Sequence, residues 1–203
     1  MILGVLLMLE TYCRPLYQKI AVNRVALWLS NQGLVKPYQV SLAALILGLC
    51  VPVALVGHQP LLASVLLLLS GYCDTLDGSL ARCGEQSSPN GTVLDILCDR
   101  TVEFAVMLGL FLQAPESRGI WVIGMLGATL LCVTSFLVVG IFSENASQKS
   151  FHYSPGLIER AEAFLFFLMM LWMPSQFSGL ALLYIVLVTG TAVYRAHQFM
   201  RQN

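Results

Sequence analysis

Six long apolar runs set the limits on how this chain can fold: approximately Val40–Val56, Leu61–Arg82, Thr92–Gln113, Ile120–Phe142, Leu157–Met173 and Phe177–Tyr194, each bounded by Pro, Gly or charge. Each is close to the roughly 20 residues, at about 1.5 Å per residue, that a helix needs to cross the hydrocarbon core of a bilayer. Backbone polar groups facing lipid must be satisfied within their own segment, so the runs are read as helices. The expected architecture is all-α and integral to the membrane, with six transmembrane helices. Only 11% of the 203 residues are charged and 57% are hydrophobic. Soluble chains carry about 25% charge, so a soluble globular protein is excluded. The connectors Gly57–Pro60, Ala114–Gly119 and Pro174–Gln176 are short, and no repeat is visible, so residues 1–203 are expected to form a single membrane domain.

Eleven basic and eleven acidic residues cancel, leaving no global field to hold nucleic acid. The six cysteines contain no CxxC pair and the three histidines have no close Cys or His neighbour, which argues against a zinc site or a disulfide framework. Ten of the eleven Lys and Arg residues fall on one side of the six-span layout and only Arg118 on the other. Basic loops stay in the cytoplasm, so both termini are expected there, in a cell inner membrane. Met1–Leu9 is apolar without a preceding basic region or a small-residue cleavage site, so no signal peptide is expected. The segment Leu16–Trp28 aligns Leu16, Ile20 and Leu27, with Lys19 and Arg24 able to reach headgroups and Asn23 interrupting the stripe. It reads either as a cytoplasmic juxtamembrane helix lying in the interface or as an ordinary helix packed under the bundle.

All four aspartates of the chain, Asp74, Asp77, Asp95 and Asp99, lie within 26 residues. Asp74 and Asp77 are spaced i, i+3 at the cytoplasmic end of the second run; Asp95 and Asp99 are spaced i, i+4 at the start of the third. Such spacings put each pair on one helix face. The stretch between them, CGEQSSPNG, is dense in turn formers, so the two pairs can face each other across a helical hairpin. Four carboxylates at a membrane boundary repel one another and are costly to ionise there, so cations must compensate them. Oxygen ligands without Cys or His suit Mg²⁺ or Mn²⁺, and four negative charges balance two divalent ions. Paired ions of this kind stabilise the attacking and leaving oxygens of a phosphoryl displacement.

Asp74-x-x-Asp77-Gly78-x-x-Ala81-Arg82, then eight residues, then Gly91-x-x-x-Asp95-x-x-x-Asp99, resembles the signature of the CDP-alcohol phosphatidyltransferase family at every fixed position and in both spacings. The resemblance implies that Asp74, Asp77 and Asp95 are metal ligands and that Asp99 is both a ligand and the general base for an incoming alcohol. It implies that Gly78, Ala81, Arg82 and Gly91 shape the site for the CDP-lipid, with Ser88 touching the diphosphate. Lack of bulk at Gly78 and Ala81 would let a nucleotide approach closely, although small-residue helix packing explains the same residues. Arg82 is either a diphosphate contact, one turn beyond Gly78, or a positive-inside anchor. The expected substrates are CDP-diacylglycerol and a small polar alcohol, with membrane lipids around the protein and, by resemblance, a homodimer.

The acceptor pocket is expected in Lys149–Glu162, where Lys149, His152 and Arg160 bring three cations to the cytoplasmic mouth. Gly156-Leu157-Ile158-Glu159-Arg160 is similar to the segment that holds a phosphorylated acceptor in some relatives, but Ala163 stands where those relatives have a second arginine. Arg160 paired with Glu159, Glu162 or Glu103 is an equally good account of that residue, and Arg100 and Glu103 carry the same ambiguity. Two rivals explain the acids less fully. An intramembrane prenyltransferase would carry two acidic motifs far apart in sequence. A divalent-cation channel or carrier leaves Gly78, Ala81, Arg82 and the eight-residue spacing without purpose.

Overall fold

The computed structural model describes residues 17–32, 35–84, 88–142 and 160–202. Every regular element in them is helical: a π turn Gln18–Val22, α1 (Asn23–Gln32), α2 (Pro37–Val56), α3 (Pro60–Cys83), α4 (Pro89–Gln113), α5 (Pro115–Phe142), α6 (Arg160–Trp172), a short 3₁₀ turn Pro174–Gln176 and α7 (Phe177–Gln202). Prolines open α2, α3, α4 and α5, because a residue without an N–H and with φ near −65° suits the first helical position. That preference carries α4 and α5 further back than the apolar runs indicated. Ser88 strengthens the start of α4, its Oγ accepting the Gly91 N–H at 3.1 Å. The expected turn between the carboxylate pairs is accordingly shorter than CGEQSSPNG, since α3 runs through Cys83 and α4 begins at Pro89.

Four helices among the described residues are long and apolar enough to cross a membrane: Pro37–Val56, Pro60–Cys83, Pro115–Phe142 and the 3₁₀–α7 stretch Pro174–Arg201. α4, with 25 residues, has the length, but Asp95, Asp99 and Arg100 crowd its first half and Glu103 lies just past its middle. α6 is described over 13 residues.

The described chain divides into two compact units, one ending at Gln113 and the other beginning at Ala114. In the first, α2 lies between α3, which runs antiparallel to it, and α4, which runs parallel. The buried Ser70 hydroxyl donates to the Ala44 carbonyl at 2.8 Å, tying α3 to α2. α2 and α4 meet through small residues. A Cβ on Gly109 would lie 2.8 Å from the Pro52 Cα, and one on Gly48 would run into Val102. Gln113 Nε2 closes the far end, donating to the Leu55 carbonyl at 3.2 Å.

The N-terminal helical segment packs on α3 through Val22 and Ala26, both fully buried against Val40, Leu76 and Leu80. The packed reading of this segment therefore holds for one of its faces, but that face is not the expected stripe: Leu27 is 52% exposed and Trp28 59%. A π turn closes with the Asn23 N–H on the Gln18 carbonyl, five residues back, which shifts the register of the faces. Leu16 and the side chains of Lys19 and Ile20 lie outside the described residues.

In the second unit α5 and α7 run parallel, joined by the Thr129 and Tyr184 hydroxyls at 2.9 Å. Phe166 and Phe167 of α6 pack on Tyr184, each with ring centroids 5.8 Å away. Buried Arg118 lies 4.5 Å over the Phe177 ring.

Candidate active site

α3 delivers Asp74 and Asp77 near its C-terminal end, and α4 delivers Asp95 and Asp99 in its second and third turns. Both helices pack against α2. One carboxylate oxygen from each of Asp74, Asp95 and Asp99 lies within 4.8 Å of the others, and all three side chains are half-buried. Three like charges this close require a counter-cation to remain ionised together. Asp77 sits outside this group of three, one turn on from Asp74. It is 5% exposed, with the Ser41 hydroxyl of α2 beside it. Its buried Oδ2 has no hydrogen-bond partner. An orphaned buried carboxylate oxygen is expensive without a cation, so the donor set and this oxygen both fit a hard divalent ion.

The residues around the aspartates leave room on one side. A Cβ added at Gly78 would meet only the Arg82 guanidinium, at an ordinary 3.4 Å, so protein packing does not demand glycine there. Ala81 is half-buried, and exposed Arg82 donates from Nη2 to the Ser79 hydroxyl at 3.0 Å. Ser88 is partly committed as the cap of α4, its oxygen accepting the Gly91 N–H; its own O–H still has a proton to give. Arg100 pairs with buried Glu103 at 2.7 Å within α4, which gives both residues a structural partner.

Arg160 begins α6, half-buried, with its guanidinium 5.2 Å from the Phe164 ring. Lys149 and His152, the other acceptor candidates, lie outside the described residues. Sequence reasoning missed three residues. Ser41 carried no signal of its own. Tyr72 donates its hydroxyl to the Ala21 carbonyl at 3.1 Å. Arg195 counted only toward the basic side, yet it is buried, donating to the Cys132 carbonyl at 3.1 Å and to the Ser135 hydroxyl at 3.2 Å.

The family model for CDP-alcohol phosphatidyltransferase matches residues 34–193, a stretch that contains all four aspartates and the hairpin that carries them. The chain belongs to this family. The phosphatidylinositol phosphate synthase of Mycobacteroides abscessus is 35% identical over 89 residues, 44% of this chain and 40% of that one. Inner membrane protein YnjF of Escherichia coli K12 is 34% identical over 125 residues, 58% of this chain and 60% of that one. The match thus spans about two fifths to three fifths of these relatives' lengths. The crystal structure of Mycobacterium tuberculosis phosphatidylinositol phosphate synthase (PgsA1) with CDP-DAG bound superposes with a TM-score of 0.72 at 20% identity, covering 87% of this chain and 92% of that one; it shares the fold. Together with the apolar helices, these likenesses make this CDP-alcohol phosphatidyltransferase family member an integral membrane protein. The family uses divalent metals, in keeping with the donor set of Asp74, Asp95 and Asp99.

Proposed function

We propose that the protein transfers a phosphatidyl group from CDP-diacylglycerol to the hydroxyl of a polar alcohol, releasing CMP and forming a phospholipid. The observation that carries this reading is the convergence of Asp74, Asp95 and Asp99 within 4.8 Å beside the buried, unpartnered Oδ2 of Asp77. The four aspartates would hold two divalent ions, Mg²⁺ or Mn²⁺, which supply charge neutralisation for the diphosphate. Asp99 takes the proton of the acceptor hydroxyl as that oxygen bonds to the lipid-proximal phosphorus, while the bond from that phosphorus to the bridging oxygen breaks. Gly78 and Ala81 leave space for the CDP moiety. Arg82, the Ser88 hydroxyl and the α4 start at Gly91 contact its diphosphate.

The acceptor comes from the cytoplasmic side, and Lys149, His152 and Arg160 are the residues proposed to bind it. We favour an anionic, phosphorylated alcohol such as inositol phosphate or glycerol 3-phosphate, because several relatives are named phosphatidylinositol phosphate synthase. Ala163, in place of a second arginine, marks where this chain departs from that group. In this reading residues 1–203 act as a single domain with six spans, a cytoplasmic juxtamembrane helix and both termini in the cytoplasm of an inner membrane, as a homodimer. The active site faces the cytoplasm, where the water-soluble acceptor and CMP exchange.

A channel or carrier for divalent cations would use the aspartates but not the space at Gly78 or the cap at Ser88. The test is CMP release from CDP-diacylglycerol by purified protein in lipid, with glycerol 3-phosphate, inositol 1-phosphate, inositol and serine as acceptors. Release that depends on one of them supports the transferase. Mg²⁺ flux through vesicles without CMP release from any acceptor would replace it with the transporter.

A further inference from the structure

α3 carries two distinct faces over its last three turns. Asp74, Asp77, Gly78 and Ala81 share one, and Tyr72, Leu76 and Leu80 share the other, with Cys73 at its edge. The second face is covered by the N-terminal helical segment, through Val22 and Ala26 with Ala21, Val25 and Leu29 around them. A polar contact among the described residues joins the two: the Tyr72 hydroxyl donates to the Ala21 carbonyl across 51 residues of sequence, at 3.1 Å. That carbonyl belongs to the π turn Gln18–Val22, a rare geometry that tends to persist where function needs it.

The consequence is mechanical. Asp74 comes from α3 while Asp95 and Asp99 come from α4, so their spacing depends on how α3 is turned about its own axis. For a helix about 10–12 Å across, a 20° rotation moves a side-chain oxygen by about 2 Å, enough to open a cluster whose members lie within 4.8 Å. Tyr72 is two residues from Asp74, and Leu76 adjoins Asp77, so the backing contact acts at the level of the carboxylates.

We propose that the N-terminal segment is a positioning element for the aspartate cluster, fixing the rotation of α3, and that Tyr72 is the positioning residue through which it acts. This rests on the reading that the aspartates hold divalent ions. The test is Mn²⁺ binding to the purified full chain in lipid nanodiscs, followed by electron paramagnetic resonance, alongside thermal melting. Four proteins are compared: wild type, Tyr72→Phe, Val22→Ala and, as a matched control, Tyr184→Phe. The control loses the same kind of hydroxyl, the one paired with Thr129 at 2.9 Å in the other unit. Expected are a three- to tenfold weaker Mn²⁺ affinity in Tyr72→Phe, a loss in the same range in Val22→Ala, and wild-type affinity in Tyr184→Phe despite a lowered Tm. Unchanged affinity in both Tyr72→Phe and Val22→Ala overturns the proposal, as does an equal loss in Tyr184→Phe, which would mark a general stability effect. Wild-type protein that binds no Mn²⁺ overturns the metal-site reading itself, and this inference with it.

Discussion

Asp99 combines two duties in the proposed reaction, and a single-atom change separates them. Asp99→Asn keeps the shape and one carbonyl oxygen but removes the basic carboxylate. Turnover is expected to fall about 10²-fold or more while CDP-diacylglycerol still binds, as measured by parallel CMP-release and equilibrium binding assays. Near-normal turnover would exclude Asp99 as the base. Arg160 poses a different question, because it lies over Phe164 at the start of α6. If it holds an anionic group of the acceptor, a charge-assisted contact of about 1.5–3 kcal/mol is lost in Arg160→Ala. The acceptor KM should then rise roughly tenfold or more with the KM for CDP-diacylglycerol unchanged; a loss of Tm with both substrates affected alike would make the residue structural. The convergence of Asp74, Asp95 and Asp99 was legible in their spacing, though not that Asp77 stands outside the three. The burial of Asp77 was not, because it comes from α2, whose Ser41 packs beside it from more than 30 residues away in sequence.

Helix contacts in the first unit depend on places where a side chain is missing. Gly109→Ala would put a methyl 2.8 Å from the Pro52 backbone, which cannot move aside as a flexible side chain would. Overpacking of this kind costs about 1–3 kcal/mol, so Tm should fall, and an unchanged melting curve would show that α2 and α4 can part freely. The opposite sign is expected at His58, which closes α2 with φ of 54°, the only positive φ among the described non-glycine residues. There the Gln59 N–H reaches back to the Ala54 carbonyl at 2.9 Å, the pattern of a helix ending in a left-handed residue. His58→Gly should stabilise the chain by up to about 1 kcal/mol, read as a small rise in Tm. Helix existence followed from the apolar runs, whereas helix starts followed from Pro89 and Pro115, which lie outside those runs. The N-terminal segment was legible as a helix but not in its orientation, since the π turn breaks the 3.6-residue periodicity from which a face is read.

For the molecule as a whole, charge compensation and orientation give the expected outcomes. Chelation should abolish CMP release and Mg²⁺ or Mn²⁺ should restore it, because three carboxylates within 4.8 Å cannot all stay ionised without cations. Full activity in excess chelator would contradict the site. The ten-to-one distribution of basic residues predicts that a reporter fused after Asn203 is found in the cytoplasm; a reporter on the far side would reverse the topology. Sequence by itself determined that this chain is helical and membrane-bound, and that its acids form one hairpin belonging to the CDP-alcohol phosphatidyltransferase family. Those properties reside in hydropathy, spacing and local turn chemistry, which act over a few residues. Only the tertiary structure decided that Asp77 is buried with a free oxygen, that Arg100 is taken by Glu103, and that the N-terminal segment backs the face of α3 opposite its carboxylates. Such facts depend on which helices meet, and at which rotation, and that is set by close contacts such as Gly109 on Pro52 and Tyr72 on Ala21, between residues more than 50 positions apart.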